Sequence, residues 1–178
     1  PLPPPLVPGH ETVGTLLEVG EAAAEAWGVS VGDRVAVECF QSCRTCDPCR
    51  SGAYRRCTTN GLRTAYGLSP LDVGPELSGG WAAHHWLGPD SMVLPVPDGL
   101  DPIDATLFNP VGAGIRWGAE LPGTGPGDVV AVLGPGIRGL AAAAAAKEAG
   151  ADFVVVTGKG PNDRPRLEAA TAFGADLT

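Results

Sequence analysis

Four of the chain's five cysteines stand at Cys43, Cys46, Cys49 and Cys57, separated by two, two and seven residues. Thiols so closely spaced do not pair comfortably as disulfides, because neighbours two residues apart close strained rings. A tetrahedral Zn²⁺ with four sulfur ligands satisfies all of them, and two-residue spacers are the usual arrangement of such sites. The spacing therefore predicts a metal-stapled lobe over residues 40–60, with Pro48 and Gly52 letting the loop turn back. Four thiolates on one zinc leave a charge of about −2, and Arg44, Arg50, Arg55 and Arg56 stand in the same stretch as compensating cations. An iron–sulfur cluster or redox cysteines would be the other use of such a quartet. A closed four-sulfur site has no open position for substrate, so this zinc is read as folding the lobe without performing chemistry. Cys39, the fifth, reads as a small buried hydrophobe at a strand end.

The remainder must fold around that lobe. At 178 residues the chain has room for one ordinary domain or two small ones. Hydrophobic residues make up 44% and charged residues 18%, which excludes a charged disordered segment. The 26 glycines and 18 prolines follow no collagen-like period and predict a loop-rich globular protein. Twelve basic against twenty acidic residues give a net charge of −8, which argues against nucleic acid as a partner. No run approaches the ~18 apolar residues of a membrane span, and no signal peptide is visible. The expectation is a cytoplasmic protein without a membrane partner. The opening Pro1-Leu2-Pro3-Pro4-Pro5, with no initiator Met, reads as the interior of a longer chain.

Residues 1–98 read as short strands between turns: 12–19, 34–38, 81–87 and 92–96, the pattern of a barrel or sandwich. After Asp98-Gly99 the texture changes. Asp101-Pro102 is a helix start, an Asp cap followed by Pro in the first turn, and residues 112–121 suggest a second short helix. Beyond the break Pro122–Asp128 come an apolar strand (129–133), a glycine cluster, a helix (137–149), a second strand (153–156) and a helical stretch (164–173). Strand, glycine turn, helix and strand in that order predict a parallel α/β unit over residues 99–178. Two strands are too few for a stable doubly wound sheet, which again suggests a longer parent.

Gly134-Pro135-Gly136-Ile137-Arg138-Gly139 fits G-x-G-x-x-G after a strand and before a helix, the context that makes the pattern informative. Gly134 permits the tight turn, Gly136 lets a pyrophosphate approach the backbone, and Gly139 lets helix and strand pack closely. The pyrophosphate would sit at a helix N-terminus, where unpaired N–H groups point at it. The second strand ends Val155-Val156-Thr157-Gly158 without the acid that would bind the ribose of NAD. Lys159, Arg164 and Arg166 could reach a 2′-phosphate and Asp163 could replace the acid, so NAD and NADP both stay open, with a lean to NADP.

His10 lies in Gly9-His10-Glu11-Thr12-Val13-Gly14, just before the first strand, and a His-Glu pair there reads as a metal site. His84 and His85 read as packing or surface residues.

Gly9-His10-Glu11-x-x-Gly14, then Gly32-Asp33-Arg34-Val35, the four cysteines, Gly79-Gly80-Trp81-Ala82 and Gly134–Gly139 follow the order and spacing of the zinc-dependent medium-chain alcohol dehydrogenases, which the chain resembles over essentially its whole length. The resemblance implies a GroES-like β-barrel catalytic domain beside a Rossmann domain, here its first half. It implies His10 as a ligand of a catalytic zinc, with Glu11 beside it. The family's cysteine ligand would precede residue 1, and its third ligand falls near Phe108-Asn109-Pro110, which makes Asn109 a weak candidate. The implied reaction is reversible transfer of hydride between an alcohol or polyol and NAD(P), in a parent that is a homo-oligomer; this chain alone would be inactive. Two other readings remain at this point: a reductase-like relative with only the structural zinc, and a zinc-lobe binding module without catalysis.

Overall fold

The computed structural model describes residues 5–73 and 76–178; the proline-rich start at residues 1–4 lies outside them. The chain divides into two compact units between Leu107 and Phe108.

In the first unit, β1 (Thr12–Thr15), β2 (Arg34–Val37) and β3 (Val93–Pro95) form an antiparallel sheet in the order β1-β2-β3. Thr12 faces Val37, and Val37 faces Val93. Between β1 and β2 lies helix α1 (Glu21–Trp27), closed by Gly28 in the left-handed conformation (φ 66°). The core gathers Leu16, Val29, Val35, Val37, Cys39, Tyr66 and Val93. Helix α2 (Asp47–Arg50) and a 3₁₀ turn, Tyr54–Arg56, carry the cysteine lobe. Helix α3 (Pro102–Ala105) starts as read: the Asp101 carboxylate accepts the Ile103 N–H at 2.8 Å.

One expectation for this unit fails. Residues 81–87 form no strand. Residues 81–84 are all exposed, so no apolar side faces a core. Instead the chain just before them is pinned to the segment ahead of β1. The Gly80 N–H donates to Gly9 O and the Trp81 N–H to Pro8 O. A Cβ on Gly79 would lie 2.0 Å from Val7 O. The paired glycines serve this close crossing, not a sheet.

In the second unit, β4 (Val129–Leu133) and β5 (Phe153–Thr157) pair in parallel, with helix α5 (Ile137–Glu148) between them in the chain. Val155 also bridges Leu177 in parallel, so a third strand position opens beside β5. The core is made of small residues: Ala143, Ala146, Ala151, Val154, Val156, Ala170 and Ala175. Alanines let α5 lie close on the sheet. Helix α6 (Arg164–Ala170) follows β5. The helix expected over 112–121 begins earlier, as α4 (Phe108–Ile115), and continues as a π-helical turn, Arg116–Glu120, whose Leu121 N–H reaches Arg116 O. Pro110 falls in the first turn of α4, where proline is tolerated. No helix of the described residues is long and apolar enough to cross a membrane.

Candidate metal centre and nucleotide turn

The four sulfurs of Cys43, Cys46, Cys49 and Cys57 all lie within 4.8 Å of one another. Cys43 Sγ and Cys49 Sγ are 3.9 Å apart, Cys46 Sγ and Cys57 Sγ 4.0 Å. Tetrahedral zinc with Zn–S bonds near 2.3 Å separates its sulfurs by about 3.8 Å. The donor set therefore fits one four-coordinate zinc and leaves no fifth position.

The backbone is shaped to serve the sulfurs. Arg44 is the only non-glycine residue with positive φ (60°) among the described residues, a conformation that costs energy and persists only where the surroundings impose it. It aims the following amides back, so that the Cys46 N–H donates to Cys43 Sγ at 3.5 Å, and the Thr45 hydroxyl does so at 3.4 Å. The same three-residue step recurs where the Asn60 N–H donates to Cys57 Sγ at 3.3 Å. The Thr45 hydroxyl first, then the backbone amides, pull the Cys43 thiol down to about 5; the Asn60 amide is the main cause lowering Cys57. Donors aimed at sulfur favour thiolate, the form that binds metal. Cys39 behaves oppositely: burial, then the Glu38 carboxylate, pushes its thiol up to about 12.

The lobe is tied to its unit by polar bonds. The Arg44 guanidinium donates to Ser91 O at 3.0 Å and to Pro89 O at 3.4 Å. Asn60 Nδ2 donates to the Asp90 carboxylate, and the Tyr54 hydroxyl to Glu38. Beneath lies a buried pair: Tyr66 Oη and Ser91 Oγ are 2.6 Å apart, and the Gly88 N–H donates to Tyr66 Oη. His85 packs edge-on against Tyr66, centroids 4.5 Å apart. Both its ring nitrogens lack a partner, and burial lowers its pKa to about 4. His84 is exposed.

His10 is half-buried and Glu11 exposed, in a cleft of about 690 Å³ whose walls include Leu68, Trp81 and Thr106. Gly9 (φ 102°) has no room for a side chain: a Cβ would meet Trp81 Cδ1 at 2.6 Å. Among the described residues, the four cysteines are the only group of three or more His, Cys, Asp or Glu drawn together. His10 and Glu11 do not by themselves make a metal site.

In the second unit, Gly134 (φ 108°) turns the chain out of β4, and its N–H donates to Thr157 O. Gly136 caps α5 with extended backbone and no side-chain partner for the helix's first N–H groups. Its missing Cβ would face open space, whereas a Cβ on Gly139 would lie 2.1 Å from Gly134 O. Gly134, Gly136, Ile137, Arg138 and Gly139 line a cavity of about 570 Å³ together with Trp117. Gly158 sits against Asp163 and Leu167. The Asp163 carboxylate accepts the Lys159 N–H at 2.8 Å and stands 3.7 Å from Arg166; Arg164 pairs with Glu168 at 3.1 Å.

Sequence reasoning missed Thr45 and Asn60 as sulfur donors, although the repeated three-residue step after Cys43 and Cys57 could have flagged Asn60. It also missed Trp117, and it did not foresee that the Asn109 amide oxygen accepts a hydrogen bond from Arg138 at 3.3 Å.

The chain thus joins a four-sulfur lobe beside an antiparallel sheet to a strand–glycine–helix–strand unit. Residues 1–98 match the family described as alcohol dehydrogenase GroES-like domain, and the chain belongs to that family. It is 65% identical over 171 residues to a probable alcohol dehydrogenase of Mycobacterium tuberculosis, covering 96% of this chain and 47% of the relative. It is 38% identical over 163 residues to an NADP-dependent alcohol dehydrogenase of Mycolicibacterium smegmatis, covering 86% of this chain and 43% of that one. An alcohol dehydrogenase from Thermotoga maritima superposes with a TM-score of 0.78 at 28% identity, over 99% of this chain and 48% of its own. The chain thus spans about half the length of the relatives it matches.

Proposed function

We propose that the protein carrying this chain is a zinc-type, NAD(P)-dependent alcohol dehydrogenase. Residues 1–98 are the GroES-like catalytic portion and residues 99–178 open a Rossmann domain. The observation that carries this reading is the turn after β4, where Gly139 is packed against Gly134 O while Gly136 faces open space. That is the division of labour a pyrophosphate at a helix N-terminus requires. When bound, the nicotinamide supplies the acceptor for the alcohol's hydride. Gly134, Gly136, Ile137, Arg138 and Gly139 hold the dinucleotide, and Gly158 bounds it at the end of β5. The name of the Mycolicibacterium relative and the cations after Gly158 support NADP over NAD.

Cys43, Cys46, Cys49 and Cys57 hold a structural zinc that staples the lobe. None of the five cysteines is in a disulfide, in keeping with a reducing, cytoplasmic setting. We assign His10 and Glu11 to binding of the alcohol. The substrate is a small alcohol or its carbonyl product, and the working protein is a homo-oligomer.

A second reading, a relative with structural zinc alone, is favoured by one observation: among the described residues no third His, Cys, Asp or Glu gathers with His10 and Glu11, and the Asn109 oxygen is engaged by Arg138. Zinc content and NADP-linked oxidation of short alcohols, measured together on the full-length protein, separate the two. Two zinc ions per subunit with turnover support the first reading; one zinc supports the second. One zinc with no dinucleotide binding defeats both and leaves a binding module.

A further inference from the structure

We propose that Asn109 is a positioning residue for Arg138, and that Arg138 is the side-chain anion contact of the glycine-turn cavity. The inference rests on the assignment of that cavity to a nicotinamide dinucleotide.

Arg138 occupies the first turn of α5, which carries no acidic residue. A cation there opposes the helix macrodipole, whose N-terminal end favours anions. Nothing in the helix itself offsets that cost. The guanidinium is instead held from outside. Its Nη2 donates to Asn109 Oδ1 at 3.3 Å, and its carbon lies over the Trp117 ring, 5.7 Å from the centroid. Trp117 belongs to the π-helical turn Arg116–Glu120; such turns are frequent where function needs a displaced side chain. The turn is pressed onto α5, since a Cβ on Gly118 would meet Ala142 O at 2.2 Å and one on Gly114 would meet Ala141 Cβ at 2.4 Å. Two glycines thus allow α4 and the π turn to lie against α5. Trp117 and Arg138 then both stand on the wall of the cavity beside Gly134 and Gly136.

The ligand chemistry follows from these groups. The first N–H groups of α5 and one planar cation converge on a cavity whose other walls are apolar, which suits a phosphate ester attached to a larger, flat body. Asn109, a neutral acceptor, orients the guanidinium without neutralising it, as a carboxylate would. A neutral partner is what a cation kept available for phosphate requires.

The test uses the full-length protein, with NADPH and NADH as probes, titrated at low and high salt. Arg138→Ala is expected to weaken binding about tenfold, the loss of a charge-assisted hydrogen bond, and to flatten the salt dependence. Asn109→Ala is expected to weaken it about threefold, with zinc content unchanged. The double variant should bind like Arg138→Ala alone, because Asn109 acts only through the arginine. In a variant whose only tryptophan is Trp117, dinucleotide should change the emission, and Arg138→Ala should abolish that change. Additive losses, unaltered binding in Asn109→Ala, or loss of zinc in that variant would overturn the proposal while leaving the cavity's assignment intact. A wild-type protein that binds neither dinucleotide would overturn both.

Discussion

The cysteine lobe and the glycine turn are both built from closely spaced small residues, yet they work in opposite ways. In the lobe, side chains converge: four sulfurs face one point, and the backbone bends, even through a positive φ at Arg44, to bring them there. At the turn, side chains are withdrawn: Gly139 makes room for Gly134 O, and Gly136 leaves a gap open to solvent. The first arrangement is complete once its ion is bound and offers nothing to substrate. The second leaves the first turn of α5 without a side-chain cap and without a Cβ at Gly136. The lesson is that a closed site reads as stability and an open one as function, although both catch the eye in the sequence for the same reason.

The contrast can be broken most severely at the lobe. Cys46→Ser, or strong chelation, should strip the metal and unfold residues 43–57, since structural zinc contributes folding free energy on the order of 10 kcal/mol. New proteolytic cleavage within the lobe, with α5 and its sheet still protected, is the expected result. Proteolysis spread evenly over both units would erase the distinction. Next comes the pair of glycines. Gly139→Val should cost about 3 kcal/mol by overpacking against Gly134 O. Gly136→Ala should change stability by less than about 1 kcal/mol, because its Cβ meets nothing, yet it should weaken dinucleotide binding. Thermal melts and dinucleotide titrations of the two variants check this, and equal stability losses would contradict it.

Tyr66→Phe should cost about 1–3 kcal/mol, since it strands Ser91 Oγ and the Gly88 N–H in the core under the lobe. A further effect is one of pH. His85 is neutral when folded, with its pKa lowered from 6.5 to about 4. Above pH 6.5 neither state binds the proton; between 6.5 and 4 only the unfolded state does, so stability falls as pH falls through that window. His85→Phe keeps the edge contact with Tyr66 and should remove this part of the slope. An unchanged slope of Tm against pH would mean that His85 stays wet.

What the sequence made legible follows the same division. The convergence of the cysteines is forced by spacing, because two-residue spacers leave the sulfurs little choice. Strand β4 is found over residues 129–133 as read, and α5 ends one residue early, at Glu148, because an apolar strand running into a glycine cluster signals its own ends. Helix α1 carries no buried residue and no side-chain cap, so nothing in its pattern marks it. Residues 81–87 have strand-like spacing, but Gly79 and Gly80 bind the chain to residues 7–9, a long-range crossing that local pattern does not encode. Asn109 illustrates the same limit. Its type argued for a weak metal ligand, while its bond to Arg138 depends on α4 lying against α5. Contacts set by one segment are readable; contacts set by two packed segments await the fold.

Zinc-edge X-ray absorption on the purified full-length protein tests the central claim most directly. The account predicts a structural zinc whose first shell is four sulfurs near 2.3 Å, lost together with the folded lobe in Cys46→Ser. A first shell of nitrogen and oxygen only, or iron in place of zinc, would contradict it.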